Sequence, residues 1–127
     1  MHAMEISRTG LDVEWRRLEV VAQNLANASS VGYQPRRLIS GPAGDFGAHV
    51  TGVEVKSVQA MATSPRLVRE PGNPQADARG MVAYPAIDQA SEMTMMIKAS
   101  RTYEANIVAM NSARQMYSKA LELGRRS

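Results

Sequence analysis

The sequence predicts a mainly α-helical fold with a small β part, in which N- and C-terminal helices pair as a coiled coil around a short β-rich middle unit. Three observations carry this. Apolar residues recur at three- and four-residue spacings near both ends of the 127-residue chain, the period of an amphipathic helix. All six prolines lie between positions 35 and 85, and seven of the nine glycines between 32 and 80, so helix breakers are confined to the middle. Within that middle, short runs rich in β-branched residues sit between turn clusters. The chain divides accordingly into residues 1–34, 35–87 and 88–127.

The first helix is expected from about Glu5 to Ala28. Leu11, Trp15, Leu18, Val21 with Ala22, and Leu25 form one stripe, while Asp12, Arg16, Arg17, Glu19 and Gln23 line the opposite face. Residues 22–33, AQNLANASSVGY, punctuate its end. Asn and Ser side chains compete for backbone hydrogen bonds, and Gly32 permits a positive φ. Trp15 reads as a packing residue rather than a ligand platform.

In the middle, residues 37–40 are a weak strand candidate. Residues 49–58, HVTGVEVKSV, are a better one, with Val50, Val53, Val55 and Val58 in mostly alternating array and Gly52 suggesting a bulge. Residues 66–70 and 81–84 are two further short runs, joined by EPGNPQADARG, a dense cluster of turn formers. Antiparallel pairing is expected, and the stretch GPAGDFG at 41–47 reads as flexible.

The C-terminal helix has the strongest pattern. Asp88 suits the N-cap, with Glu92 near the positive helix end. Met93, Met96, Ser100, Tyr103, Ile107, Met110, Arg114, Tyr117 and Leu121 follow alternating steps of three and four, a heptad seam sustained for about four heptads. Gly124 suits the C′ position, and Arg125 and Arg126 favour the negative end. At about 1.5 Å per residue such a helix is roughly 50 Å long, too long to be buried inside so small a chain. Ser100 and Arg114 interrupt the seam, either as register-setting polar positions or because the seam drifts and both face solvent.

Composition narrows the function. With no cysteine, disulfides, thiolate metal sites and cysteine nucleophiles are excluded. Glu5, Arg8, Asp12 and Glu14 break the first apolar run, so no classical export signal is expected, and no run is long enough to span a bilayer. The net charge of +3 is dispersed. The doublets Arg16–Arg17, Arg36–Arg37 and Arg125–Arg126 lack an aromatic platform, which argues against nucleic acid. His2 and His49 make no ligand spacing, and Asp45, Glu54, Glu70, Asp77 and Asp88 are scattered among turns. Neither a phosphate-cradling glycine motif nor a nucleophile elbow occurs. No catalytic, metal or cofactor-binding residue is therefore assigned, no cofactor is expected, and an enzyme is not expected. The nine methionines suit either core filling or an adaptable interface. Asn24, Asn27, Asn106 and Asn111 suit either hydrogen bonds between packed helices or ordinary surface positions.

Residues 24–33, NLANASSVGY, resemble the N-terminal signature of the bacterial flagellar axial proteins, the rod, hook and hook-associated group. The signature residues are Asn24, Leu25, Ala26, Asn27, Ala28, Gly32 and Tyr33. Residues 67–125 are similar to the proximal-rod FlgC family of flagellar basal-body proteins along nearly their whole length. The turn EPGNPQADARG, the step YPAID into the helix and SRTYEAN are the distinguishing pieces. Gln23, Ser30 and Val31 depart mildly from the family pattern, and the segment after Tyr33 is shorter than usual.

The resemblance implies a structural subunit of the proximal rod, a hollow axial shaft that transmits torque and crosses the periplasm. It implies export from the cytoplasm through the flagellar type III apparatus, without a cleaved signal peptide. Other rod subunits and the hook–basal-body adaptor are the implied neighbours, and the terminal helices are implied to form a coiled-coil inner domain that orders on assembly. Under this reading Leu11, Trp15, Leu18, Leu25, Met93, Met96, Tyr103, Ile107, Met110, Tyr117 and Leu121 form the subunit interface. The alternative is a cytosolic helical adaptor that docks one protein partner through the same helices.

Overall fold

A computed structural model describes residues 2–44 and 52–126. Helix α1 (His2–Ala26) is followed by strands β1 (Arg36–Pro42), β2 (Val53–Ala60), β3 (Arg66–Arg69) and β4 (Met81–Tyr84), and then by helix α2 (Gln89–Arg126). The two long helices with small antiparallel sheets between them match the expected class.

The middle forms two separate two-stranded sheets rather than one, β1 with β2 and β3 with β4. In the first, Arg36 lies opposite Ala60 and Pro42 opposite Val53. The register slips between Ile39 and Ser40, whose partners are Ser57 and Val55, so Lys56 is the extra residue. The irregularity is therefore not at Gly52. That glycine has a φ of +132°, and a side chain there would strike Thr9 of α1. The Thr9 hydroxyl accepts a hydrogen bond from the Val53 amide at 3.1 Å, tying the start of β2 to α1. Gly41 and Pro42 belong to β1, whereas residues 45–51, which include the last three residues of the stretch expected to be flexible and the first three of the strand expected at 49–58, lie outside the described residues.

Helix α1 lies between the first sheet and α2 and makes contact with both. Towards the sheet it buries Val13 and Val20 against Leu38, with Val58 half-buried beside them. Beside these positions lies a second buried set, Ser7, Gly10, Val21 and Asn24. One helix thus presents two buried faces, with the small and polar side chains concentrated on the second.

Asp88 caps α2 as expected. Its carboxylate accepts bonds from the Ala90 and Ser91 amides at 3.1 and 3.3 Å and from the Ser91 hydroxyl at 3.0 Å. The far end departs from expectation: α2 continues through Gly124 to Arg126, so Gly124 is a helical residue and not a C′ terminator. Glycine permits a left-handed stop but does not impose one, and the good helix formers around it carry the helix on.

Candidate assembly joint and helix faces

The segment that ends α1 is where all three parts of the chain meet. Asn24, the first residue of the signature, is fully buried. Its amide nitrogen donates to the carbonyl of Arg36 at 2.8 Å and to Glu92 Oε2 at 3.2 Å. Its oxygen accepts from the Tyr33 hydroxyl at 2.8 Å and from the Arg36 amide at 3.0 Å. Both donors and both acceptor sites of the amide are used. Burial without such partners would cost on the order of 1–3 kcal/mol per group.

Glu92, only 3% exposed, lies in the first turn of α2. Arg37 answers its charge, with its guanidinium 2.6 Å from Oε1, and Arg37 also reaches the sulfur of Met61. Arg36, the neighbouring residue, meets the side-chain oxygen of Gln23.

The rest of the signature shapes the corner. The Asn27 amide donates to the carbonyl of Gln23 at 2.8 Å, and its oxygen accepts from the Ser30 hydroxyl at 3.0 Å, closing the open end of α1. Gly32 adopts a φ of +79° and donates its amide to the carbonyl of Ala83 in β4, which fastens the corner to the second sheet. Tyr33 then points its hydroxyl back at Asn24.

The β3–β4 turn is equally well tied. Glu70 accepts from the Asn73 amide at 3.0 Å and the Tyr84 hydroxyl at 2.8 Å. Those bonds hold its carboxyl below the ordinary value, Asn73 contributing most, and raise the Tyr84 hydroxyl. Asp77 accepts from the amides of Arg79 and Met81, and Arg66 lies over the Tyr84 ring at 5.5 Å.

The two helices run antiparallel. Asn24 meets Glu92, Trp15 meets Tyr103 with ring centroids 6.2 Å apart, and Gly10 faces Asn106. On α2 the buried positions are Glu92, Ala99 and Ala113, one heptad apart or two. The side turned to α1 is therefore offset from the heptad seam read from the sequence. Met96, Tyr103, Ile107 and Met110 lie in a half-buried band beside the contact, whereas Met93, Tyr117 and Leu121 are about half exposed. On α1, Leu11, Leu18 and Leu25 are half-buried, and Trp15 is 57% exposed. Of the two polar interruptions, Ser100 is half-buried and Arg114 is exposed and bonded to Asn111.

Sequence reasoning missed Glu92, Arg37 and Gly10. A lone glutamate in a first helical turn is the ordinary answer to the helix dipole, so nothing local marks Glu92 as buried. Gly10, the one glycine inside the first helical pattern, was the available signal for a close approach.

Two family models match. One, described as flagella basal body rod protein, covers residues 4–34, and the other, flagellar basal body rod FlgEFG protein C-terminal, covers residues 78–123. The flagellar basal-body rod protein FlgC of Salmonella typhimurium is 38% identical over 98% of this chain and 97% of its own length. That of Escherichia coli O157:H7 is 37% identical over the same shares.

The chain belongs to the FlgC family of flagellar basal-body rod proteins.

A more distant relative, the FlgC of Bacillus subtilis, is 29% identical over 98% of this chain and 97% of its own. Like this family, the chain is a structural rod subunit of the flagellar basal body. The first matched segment contains Asn24 and Tyr33 and ends at the corner, and the second contains Ala83, Glu92 and α2 as far as Leu123, while Arg36 lies between the two. Among the described residues, no helix is long and apolar enough to cross a membrane.

Proposed function

We propose that the chain is a proximal-rod subunit whose terminal helices assemble with those of neighbouring subunits into a hollow shaft that transmits torque. Residues 1–34 and 88–127 act as the inner, helical domain, and residues 35–87 as the small outer unit. The work is mechanical rather than catalytic. The subunit leaves the cytoplasm through the flagellar type III export apparatus and stands in the rod across the periplasm, beside other rod subunits and the hook–basal-body adaptor.

The observation that carries this reading is the apolar surface that the chain does not cover itself. Gly10 precedes Asn24 by fourteen residues and Asn106 follows Glu92 by fourteen, so one antiparallel register holds along the pair. In that register α2 beyond about position 114 runs past His2. There Met116 is 71% exposed and Leu123 68%, with Tyr117 and Leu121 about half exposed. A helix end of this composition is stable in water only against other chains. Leu11, Trp15, Leu18, Leu25, Met93, Met96, Tyr103, Ile107, Met110, Tyr117 and Leu121 form the subunit interface of this reading.

The test is complementation in a strain lacking the gene. Ile107→Asp or Met110→Asp places a charge within the half-buried band, and swimming should be lost while the subunit is still made and exported. Normal motility with either variant would overturn the assembly role of this face.

A further inference from the structure

Beyond its place in the fold, the Asn24 cluster has the makings of a conditional lock. Three of the four hydrogen bonds of Asn24 stay within residues 24–36, to Tyr33 and to both backbone groups of Arg36. The fourth reaches 68 residues along the chain to Glu92. Glu92 is itself buried and is neutralised by Arg37, the next residue of β1. Remove α2, and Asn24 keeps a spare donor while Arg37 loses its carboxylate. Remove the corner, and Glu92 becomes a buried charge without its partners, an arrangement that costs far more than the pair stabilises. Each side is complete only when the other is docked.

We infer that Asn24, Glu92 and Arg37 form a latch that couples the ordering of the signature corner to the docking of the first turns of α2. The corner carries Gly32, whose amide reaches β4, so the latch sets when the joint between helices and sheets becomes rigid. Such coupling is reciprocal: whatever loosens α2 loosens the corner by the same factor, and the reverse. This concerns the folding of the single chain and stands or falls independently of the motility test.

The experiment is residue-resolved amide exchange on the full-length chain in solution. Three sites report: the Arg36 amide for the corner, the Met95 and Met96 amides for the first turns of α2, and the Glu70 amide, bonded to the carbonyl of Gly80, for the distant hairpin. Glu92→Leu should speed exchange at Arg36 by roughly tenfold or more, the size of a lost charge-assisted bond, and leave Glu70 unchanged. Arg37→Met should speed Met95, Met96 and Arg36 together. Glu104→Leu, at an exposed position of the same helix, should change none of them.

Unchanged exchange at Arg36 in Glu92→Leu would overturn the latch, as would an Arg36 amide unprotected in the wild type. Were Glu92→Leu to lose the hairpin too, Glu92→Gln decides, since it keeps the shape and an acceptor for Asn24. Selective acceleration at Arg36 then supports the latch, and uniform acceleration at all sites overturns it.

Discussion

Asn106 of α2 occupies the notch that Gly10 leaves in α1: a Cβ added at Gly10 would come within 2.6 Å of the Asn106 amide nitrogen and 2.8 Å of its side-chain carbon. Replacing a mid-helix glycine by alanine ordinarily gains about 1 kcal/mol. Here the overlap should exceed that gain. Overpacking usually costs about 1–3 kcal/mol, so after that gain Gly10→Ala is expected to destabilise the isolated chain by up to about 2 kcal/mol, as read from urea denaturation. Asn106→Ala should restore most of the loss in the double variant. An additive double variant would show that the notch is not the cause.

Val20 and Trp15 lie on the same helix and should behave oppositely. Val20 is 1% exposed and packs with Val13 and Leu38, so Val20→Ala should cost on the order of 1–3 kcal/mol of stability. Trp15 is 57% exposed and keeps one tilted ring contact with Tyr103. Trp15→Ala should therefore cost only about 1 kcal/mol in the free chain, while impairing motility more than Val20→Ala does. Thermal melts paired with swimming assays separate the two effects.

Gly32 tests the corner through the backbone alone. No atom lies within 4 Å of where its Cβ would be, yet its φ is +79°. Gly32→Ala should cost about 1–2 kcal/mol from the left-handed conformation. Gly72→Ala, equally open and without a positive φ, should be neutral within about 0.5 kcal/mol. Equal melting temperatures for the two variants would contradict this account.

The β3–β4 hairpin should loosen at both extremes of pH. Hydrogen bonds from Asn73 and Tyr84 depress the Glu70 carboxyl, and bonds from the Ser91 hydroxyl and amide depress Asp88 at the α2 cap. A depressed carboxyl contributes stability above its unfolded pKa and loses it as pH falls through the folded value. Tyr84 is raised by its bond to Glu70, so its contribution is complete below the ordinary tyrosine pKa and is lost as pH rises through the folded one. An NMR titration of the Asn73 and Gly80 amides from about pH 2 to about pH 12 should show both limbs. Tyr84→Phe should abolish the alkaline limb and move the Glu70 titration upward; an unmoved Glu70 would refute the assigned cause.

Much of the fold was legible because it is local. The confinement of proline to positions 35–85 bounded both helices, and the Asp88 cap and the runs at 66–70 and 81–84 appeared within a residue or two of where they were expected. The signature was legible as a helix end, since Asn27, Ser30 and Gly32 act on backbone groups only a few residues away. Two details were not. Gly124 suits a stop yet is helical, and the β-bulge suggested by Gly52 falls at Lys56, where pairing with β1 sets the register.

By itself, then, the sequence determined the class of fold and the elements, through periodicities and turn chemistry that act over a few residues, and the family through the resemblance carried by residues 24–33 and 67–125. Tertiary structure alone decided which faces meet. Ranking positions by apolar size selected Leu11, Trp15, Leu18 and Leu25; of these Trp15 does meet Tyr103, but the contact with α2 also runs through Gly10 and Asn24, which size passes over. Small side chains let two helix backbones approach, and a buried amide is tolerable only where Glu92, Tyr33 and Arg36 converge on it. No local pattern can announce a partner that stands 68 residues away.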